Sequence, residues 1–267
     1  MRSLKELMNL DGRVALVTGG GGRIGAALCE ALAELGATLV VLDSSPDAAG
    51  KVAARMEKEF GVQAVPLELD LSNEHSVSLA PTFVLERFGR LDILVNCAAL
   101  VGTSELKGWI APFAEQSAET WRLALEVNLT APFLLTQACA DALRESGKGS
   151  VININSIYGM VGPDMSLYSG TQLGNPAAYA ASKGGLMQVT RWLATSLAPD
   201  IRINSITCGG VSRNQPDVFV ERYVERTPLR RMATEEDFKG AVTYLATDLS
   251  AYVTGHNLVV DGGWTTW

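Results

Sequence analysis

Short apolar runs alternate along the chain with longer stretches whose apolar positions recur at helical spacing. Val14–Val17 (VALV) is unbroken, as expected of a strand covered on both faces. Residues 24–35 (IGAALCEALAEL) place Ile24, Leu28, Leu32 and Leu35 on one stripe, and Gly36 ends that helix. The alternation continues with strands at 38–42, 63–69 and 91–95 and helices at 46–60 and 74–88. A long helix lies within 118–144, a strand at 151–154, a helix at 177–197 and a strand at 201–206, with a last strand at 256–260. Strands alternating with helices predict βαβ units, hence an α/β fold with a parallel sheet between two helical layers. No linker or repeat interrupts the pattern, so residues 1–267 read as a single domain. Ligands of such sheets sit beyond the carboxyl ends of the strands.

One loop at such an end is unusual. Thr18–Gly25 (TGGGGRIG) follows the first strand and opens the first long helix. Glycines there let a ligand approach the backbone, and a helix N-terminus offers free N–H groups and a positive dipole end to a pyrophosphate. Asp43 closes the second strand 18 residues after Gly25, near the spacing of a carboxylate that holds an adenosine ribose. Such a carboxylate repels a 2′-phosphate, and the next residues, Ser44 and Ser45, are not basic. The pattern therefore favours NAD over NADP. Arg23 is open to three readings, against pyrophosphate, beside adenine or out in solvent, and its guanidinium keeps NADP as the lesser alternative.

Tyr179 and Lys183 stand four apart in an apolar helical run and so share a face. A nearby ammonium favours phenolate and would bring the phenol down from its usual value near 10, toward general acid/base use. Ser156 ends the strand VININS, where its hydroxyl can hold an oxygen on which charge changes. Asn128 sits inside a helix, a poor place for asparagine, which suggests a specific hydrogen-bonding duty; a solvent-facing amide is the alternative.

Taken together and in order, TGGGGRIG, Asp70, NCAA at 96–99, Asn128, Ser156, YAASK at 179–183 and the ending VTGHNLVVDGGW resemble the short-chain dehydrogenase/reductase family from about Leu10 to Trp264. The resemblance implies a Rossmann-like, doubly wound three-layer sheet of about seven strands and hydride transfer between a nicotinamide and a secondary alcohol or ketone. Tyr179 would be the acid/base, Lys183 would hold the nicotinamide ribose and acidify Tyr179, Ser156 would orient substrate, and Asn128 would hold a water in the proton path. Gly19, Gly22, Arg23, Ile24 and Gly25 would contact the dinucleotide. Asp70 and Leu71 would meet the adenine, Asn96 and Ala98 would form the sheet end facing the cofactor, and Gly209 and Val211 would reach the nicotinamide amide. It also implies a homotetramer or dimer, with Trp264 and Trp267 near an interface.

Three departures stand out. Arg23 replaces a usual glycine, giving a Gly19-x-x-Gly22-x-x-Gly25 spacing that matches the family's extended branch, so a sugar-nucleotide epimerase or dehydratase with tightly held NAD is the enzymatic alternative. A non-catalytic cofactor-binding protein is another. NCAA at 96–99 replaces the usual Asn-Asn-Ala-Gly, so Ala98 and Ala99 would set a slightly different cofactor approach, and Cys208 replaces a proline, which puts the rigidity of the following loop in question. The segment between Ser156 and Tyr179 holds 22 residues, about ten beyond the family's habit, and residues 157–176 form a polar, turn-rich insert over the reaction centre. Tyr158, Tyr168 and Gln172 are candidate substrate contacts there, joined by Ser169, Thr171 and Asn175. Residues 211–232, with Phe219, Tyr223 and arginines 213, 222, 226, 230 and 231, read as a lid. This polar surround favours a sugar, sugar acid or nucleotide sugar.

Composition narrows the remainder. A formal net charge of −7 lacks the basic face that nucleic acid requires. Four scattered cysteines and two histidines form no metal pattern and suit a reducing compartment. The polar start and the absence of a long uninterrupted apolar run predict a cytoplasmic protein without a membrane segment. No G-x-S-x-G elbow supports a serine hydrolase.

Overall fold

A computed structural model describes every residue except 102, 103 and 105. After a short helix α1 (Leu4–Met8), strand and helix alternate: β1 (Val14–Thr18), α2 (Arg23–Glu34), β2 (Thr38–Asp43), α3 (Pro46–Phe60), β3 (Ala64–Glu68), α4 (Glu74–Phe88) and β4 (Ile93–Asn96). The second half comprises α5 (Ala118–Leu125), α6 (Ala131–Glu145), β5 (Gly149–Ser156), α7 (Ala177–Ser196), β6 (Ile201–Cys208), α8 (Asp217–Arg226), α9 (Lys239–Ala246) and β7 (Asn257–Val260). The strands form one parallel sheet in the order β3-β2-β1-β4-β5-β6-β7. This is the Rossmann-like α/β arrangement. Strand order reverses between β1 and β4, and a crevice opens at such a point in a doubly wound sheet.

Period-two alternation divides the strands between two cores. Ala15 and Val17 of β1 and Leu39 and Val41 of β2 pack with Leu28, Leu32, Met56, Phe238 and Val242 on one face. Val14, Leu16, Val40 and Leu42 pack with Val84, Leu135, Leu143 and Leu193 on the other. Local chemistry sets the helix ends. The Ser45 hydroxyl accepts from Ala48 N–H at the start of α3, Pro46 occupies its first turn, and Gly61 closes it at φ +69°. Asn73 and Gly89 do the same for α4.

The expected long helix is interrupted. Between α5 and α6, Glu126–Thr130 form one π-turn, so the helical run Ala118–Glu145 carries a bulge where Asn128 sits. By length and composition this run could cross a membrane, but it packs against α4, α7 and the sheet. Helices α8 and α9 lie beyond the pattern read from sequence. Helix α9 covers α2, β5 and β6.

Asp92 links the start of the two central strands. Its fully buried carboxylate accepts Val14 N–H at 2.9 Å and two Arg90 donors at 2.8 and 2.6 Å, while its own N–H donates to Val14 C=O. Asp92→Ala leaves a buried N–H without a partner at the β1–β4 junction. Urea unfolding is expected to show a loss of about 2 kcal/mol with an unchanged dependence on urea.

Candidate active site

A cleft of about 550 Å³ runs across the carboxyl ends of the strands at the β1/β4 switch point. Gly19, Gly22, Arg23, Ile24, Gly25, Asp43, Asp70, Leu71, Ala98, Ser156, Tyr158, Tyr168, Tyr179, Lys183, Gly209 and Val211 all line it, so most of the residues proposed from sequence are brought together.

At one end the glycine loop forms a cradle in which side chains have no room. A Cβ on Gly25 would lie 2.1 Å from the Gly19 carbonyl oxygen, and one on Gly19, whose φ is +61°, would lie 2.8 Å from the Ala98 Cα. Glycine is required at both. The close approach leaves the N-terminus of α2 open to the cleft, which suits the pyrophosphate of a dinucleotide. Asp43 stands beside the loop, its carboxylate accepting Gly21 N–H and Ser45 N–H, each at 3.0 Å. It is therefore both a candidate ribose ligand and a brace. Asp70, which also lines the cleft, accepts from the N–H and hydroxyl of Ser72. Arg23 lines the cleft with its side chain more than half in solvent, and its Nε also lies 2.7 Å from Glu235, just before α9, a partner that none of the three readings included. That partner is over two hundred residues away and nothing local in the sequence announces it.

At the other end lie the groups that can move a proton. Ser156 ends β5, and Tyr179 and Lys183 project from α7, with the Lys183 Nζ 6.0 Å from the centre of the Tyr179 ring. Lys183 donates to the Ile154 carbonyl at 2.9 Å. Burial pushes the Tyr179 phenol up to about 12, and its hydrogen bond with Ser156 pulls the other way. Burial pushes the Lys183 ammonium down to about 8. The one-turn spacing predicts a phenol lowered by the ammonium; in the structure burial dominates, the opposing pull comes from Ser156 and Arg213, and each group is shifted toward its own neutral form.

Two expected site residues lie behind the cleft wall instead of on it. The Asn96 amide is buried, donating to Asn153 Oδ1 at 2.8 Å, and Asn153 donates in turn to Thr190 on α7. The fully buried Asn128 faces no solvent: its Oδ1 accepts Leu100 N–H at 2.7 Å, and its Nδ2 donates to Leu100 C=O and Ser182 Oγ. Its amide thus clamps the segment after β4 to α7.

Residues 157–176 and 211–232 pack on one another beside Ser156 and Tyr179. Ile157, Leu167, Phe219, Tyr223, Met232 and Trp264 form one apolar cluster against which Tyr158 and Tyr168 pack. The Tyr158 and Tyr168 hydroxyls meet at 2.7 Å, and Asn175 also lines the cleft. Gln172 does not reach it: the residue is exposed on the outer side of the insert, as is Ser169, because Leu167, Tyr168 and Leu173 take the inward positions. The loop after β6 needs no proline. Gly210 N–H donates to the Tyr223 hydroxyl, and Val211 bridges to Ala233. Cys97 and Cys208 also face the cleft, and burial pushes the Cys97 thiol up to about 11 and Cys208 further.

A family model described as enoyl-(acyl carrier protein) reductase matches residues 21–265. Trans-4-hydroxycyclohexanecarboxylate dehydrogenase of Sinomonas cyclohexanicum is 33% identical over 259 residues, covering 95% of this chain and 93% of that one. This chain belongs to the short-chain dehydrogenase/reductase family. Solved members superimpose closely. Gluconate 5-dehydrogenase from Burkholderia cenocepacia J2315, in complex with NADP and tartrate, matches with a TM-score of 0.87 and 30% identity over 99% of this chain and 100% of that one. NAD⁺-bound xylitol dehydrogenase matches with a TM-score of 0.84 and 29% identity over 95% and 99%. The short-chain dehydrogenase/reductase is thus an oxidoreductase of alcohols or ketones that uses a nicotinamide dinucleotide, and both NAD and NADP occur among its structural neighbours. The epimerase alternative finds no support among these relatives.

Lys183 offers a test of the site's electrostatics. An ammonium whose folded value lies below its unfolded one destabilises the fold wherever both states are protonated, and this cost fades as pH rises above about 8. Lys183→Met removes the cost. Its stability relative to wild type is expected to be more favourable near pH 7 than near pH 9.5 by about 2 kcal/mol, read from paired urea titrations.

Proposed function

We propose that this chain is an NAD(H)-dependent dehydrogenase/reductase in which Tyr179 exchanges a proton with the oxygen of a polar secondary alcohol or ketone. The observation that carries this is the convergence of Ser156, Tyr179 and Lys183 at one end of a cleft whose other end is the Gly19–Gly25 cradle. When bound, the nicotinamide ring supplies or accepts the hydride. The Tyr179 hydroxyl donates its proton to the carbonyl oxygen in reduction and recovers it in oxidation. Ser156 Oγ holds the same oxygen while charge develops on it. Lys183, fixed by Ile154, would hold the nicotinamide ribose through its remaining N–H groups. Asn128 acts through position, keeping the Leu100 segment and α7 in register.

NAD is favoured over NADP because the Asp43 carboxylate, beside the glycine loop at the end of β2, would repel a 2′-phosphate and Arg23 is engaged by Glu235. Hydroxyls of Tyr158 and Tyr168 with the Asn175 amide in the cleft favour a hydroxyl-rich substrate such as a sugar, a sugar acid or a nucleotide sugar. Xylitol and gluconate dehydrogenases among the structural neighbours are consistent with that class. A homo-oligomer, dimer or tetramer, acting in the cytoplasm completes the reading; four free cysteines suit that compartment.

Tyr179→Phe is expected to lower turnover about a thousandfold while NADH binding, followed by fluorescence, changes little. Loss of NADH binding with the phenol removed, or undiminished turnover, overturns the assignment. Asp43→Asn keeps an acceptor for Gly21 N–H but removes the charge. The ratio of kcat/KM with NADP to that with NAD is expected to rise about tenfold or more, measured with one substrate and both cofactors.

A further inference from the structure

Four of the five arginines of the lid segment are occupied. Arg222 donates to the carbonyls of Ser166, Leu167 and Ser169, and Arg226 pairs with Asp164 and lies 4.9 Å over the Trp264 ring. Arg230 donates to the Glu225 carbonyl, and Arg231 forms a two-pronged pair with Asp237. Arg222 and Arg226 hold the insert and lid together, while Arg230 and Arg231 are taken up near the end of the lid segment itself. Arg213 differs. Its guanidinium has no hydrogen bond or ion pair among the described residues, and its Nε is buried without a partner. It lines the cleft, and its charge reaches Tyr179, Cys97 and Cys208 around the reaction end. Its backbone is pinned: Arg213 N–H donates to Gln215 Oε1 at 2.6 Å, and Gln215 Nε2 donates to Val211 C=O at 2.7 Å. In a chain of formal net charge −7, a buried guanidinium donor left unpaired within a cleft leaves a cost that a ligand would relieve.

We propose that Arg213 selects an anionic substrate, its guanidinium receiving a carboxylate or phosphoryl group carried by the alcohol or ketone at the Tyr179 end of the cleft. The inference deepens the oxidoreductase reading above and rests on it. A dinucleotide's pyrophosphate has its own receptor in the glycine cradle at the N-terminus of α2, whereas Arg213 stands on the segment after β6 and shares the cleft lining with Tyr168, Phe219 and Tyr223. A planar fork of donors beside hydroxyl and amide groups fits a hydroxy acid or a sugar phosphate better than a neutral polyol.

The full chain, Arg213→Met and Arg213→Lys are compared with three probes: sorbitol, gluconate and sorbitol 6-phosphate. Dissociation constants come from calorimetry with and without NADH, and kcat/KM is measured wherever turnover occurs. Wild type is expected to bind at least one anion about 30-fold more tightly than sorbitol, with Arg213→Met erasing that ratio and Arg213→Lys restoring part of it. Preference for gluconate marks a carboxylate, and preference for sorbitol 6-phosphate a phosphoryl group. Equal binding of all three probes, no binding of either anion, or a preference that survives in Arg213→Met overturns the proposal. So does a rise in the NADH dissociation constant of Arg213→Met with the substrate ratio intact, which would assign the guanidinium to the pyrophosphate. Failure of NADH to bind wild type at all would instead sink the oxidoreductase reading, while the titrations without NADH still decide on Arg213.

Discussion

The hydrogen bond from the Lys183 ammonium to the Ile154 carbonyl is the constraint on which the reaction end of the cleft depends. It places a cation under cover, at a cost in desolvation that shows in its lowered titration, and in return fixes α7 against the carboxyl end of β5. Two neighbouring polar links also reach α7. Asn153 on β5 receives Asn96 from β4 and donates to Thr190 on α7, and Asn128 binds Leu100 and Ser182. Buried polar groups satisfied in this way specify one arrangement of sheet and helix, and the phenol of Tyr179 inherits its position from them.

The substrate side is built on a different principle. The insert and the lid are distant in sequence, yet they share one aromatic cluster in which Phe219, Tyr223 and Trp264 stack and Tyr168 leans on Phe219. The arginine contacts on the outside tie the same two segments together. What looked like two polar flaps is one wall, apolar behind and hydroxyl-bearing in front. The inner face exposes Tyr158, Tyr168 and Asn175 to the cleft, whereas the ion pairs face outward.

Strand positions and the glycine cradle were legible because their causes are local. Apolar runs mark strands buried on both faces, and TGGGGRIG allows a close approach that only glycine permits. Ser156, Tyr179 and Lys183 were legible as a set. What escaped was set by tertiary partners. Glu235 claims Arg23 from the far end of the chain, burial reverses the expected fall of the Tyr179 phenol, and the π-turn at Asn128 depends on a clamp to Leu100. Gln172 and Ser169 failed for a related reason: polar character in a loop does not say which side faces inward, and here Leu167 and Leu173 decided it. Helix α9 was missed because its apolar run is short, although a capping box between Thr234 and Asp237 opens the turn that leads into it.

Cys97 and Cys208 carry a consequence for chemical durability. Carbonyl compounds are electrophiles, and a thiolate beside one would add reversibly to its carbon as a hemithioketal, tying up the carbonyl that hydride must reach. Burial keeps both sulfurs protonated at neutral pH, with only about one Cys97 in ten thousand ionised at a value near 11. The same desolvation that hinders proton loss from Tyr179 therefore shields the catalyst from its own substrates.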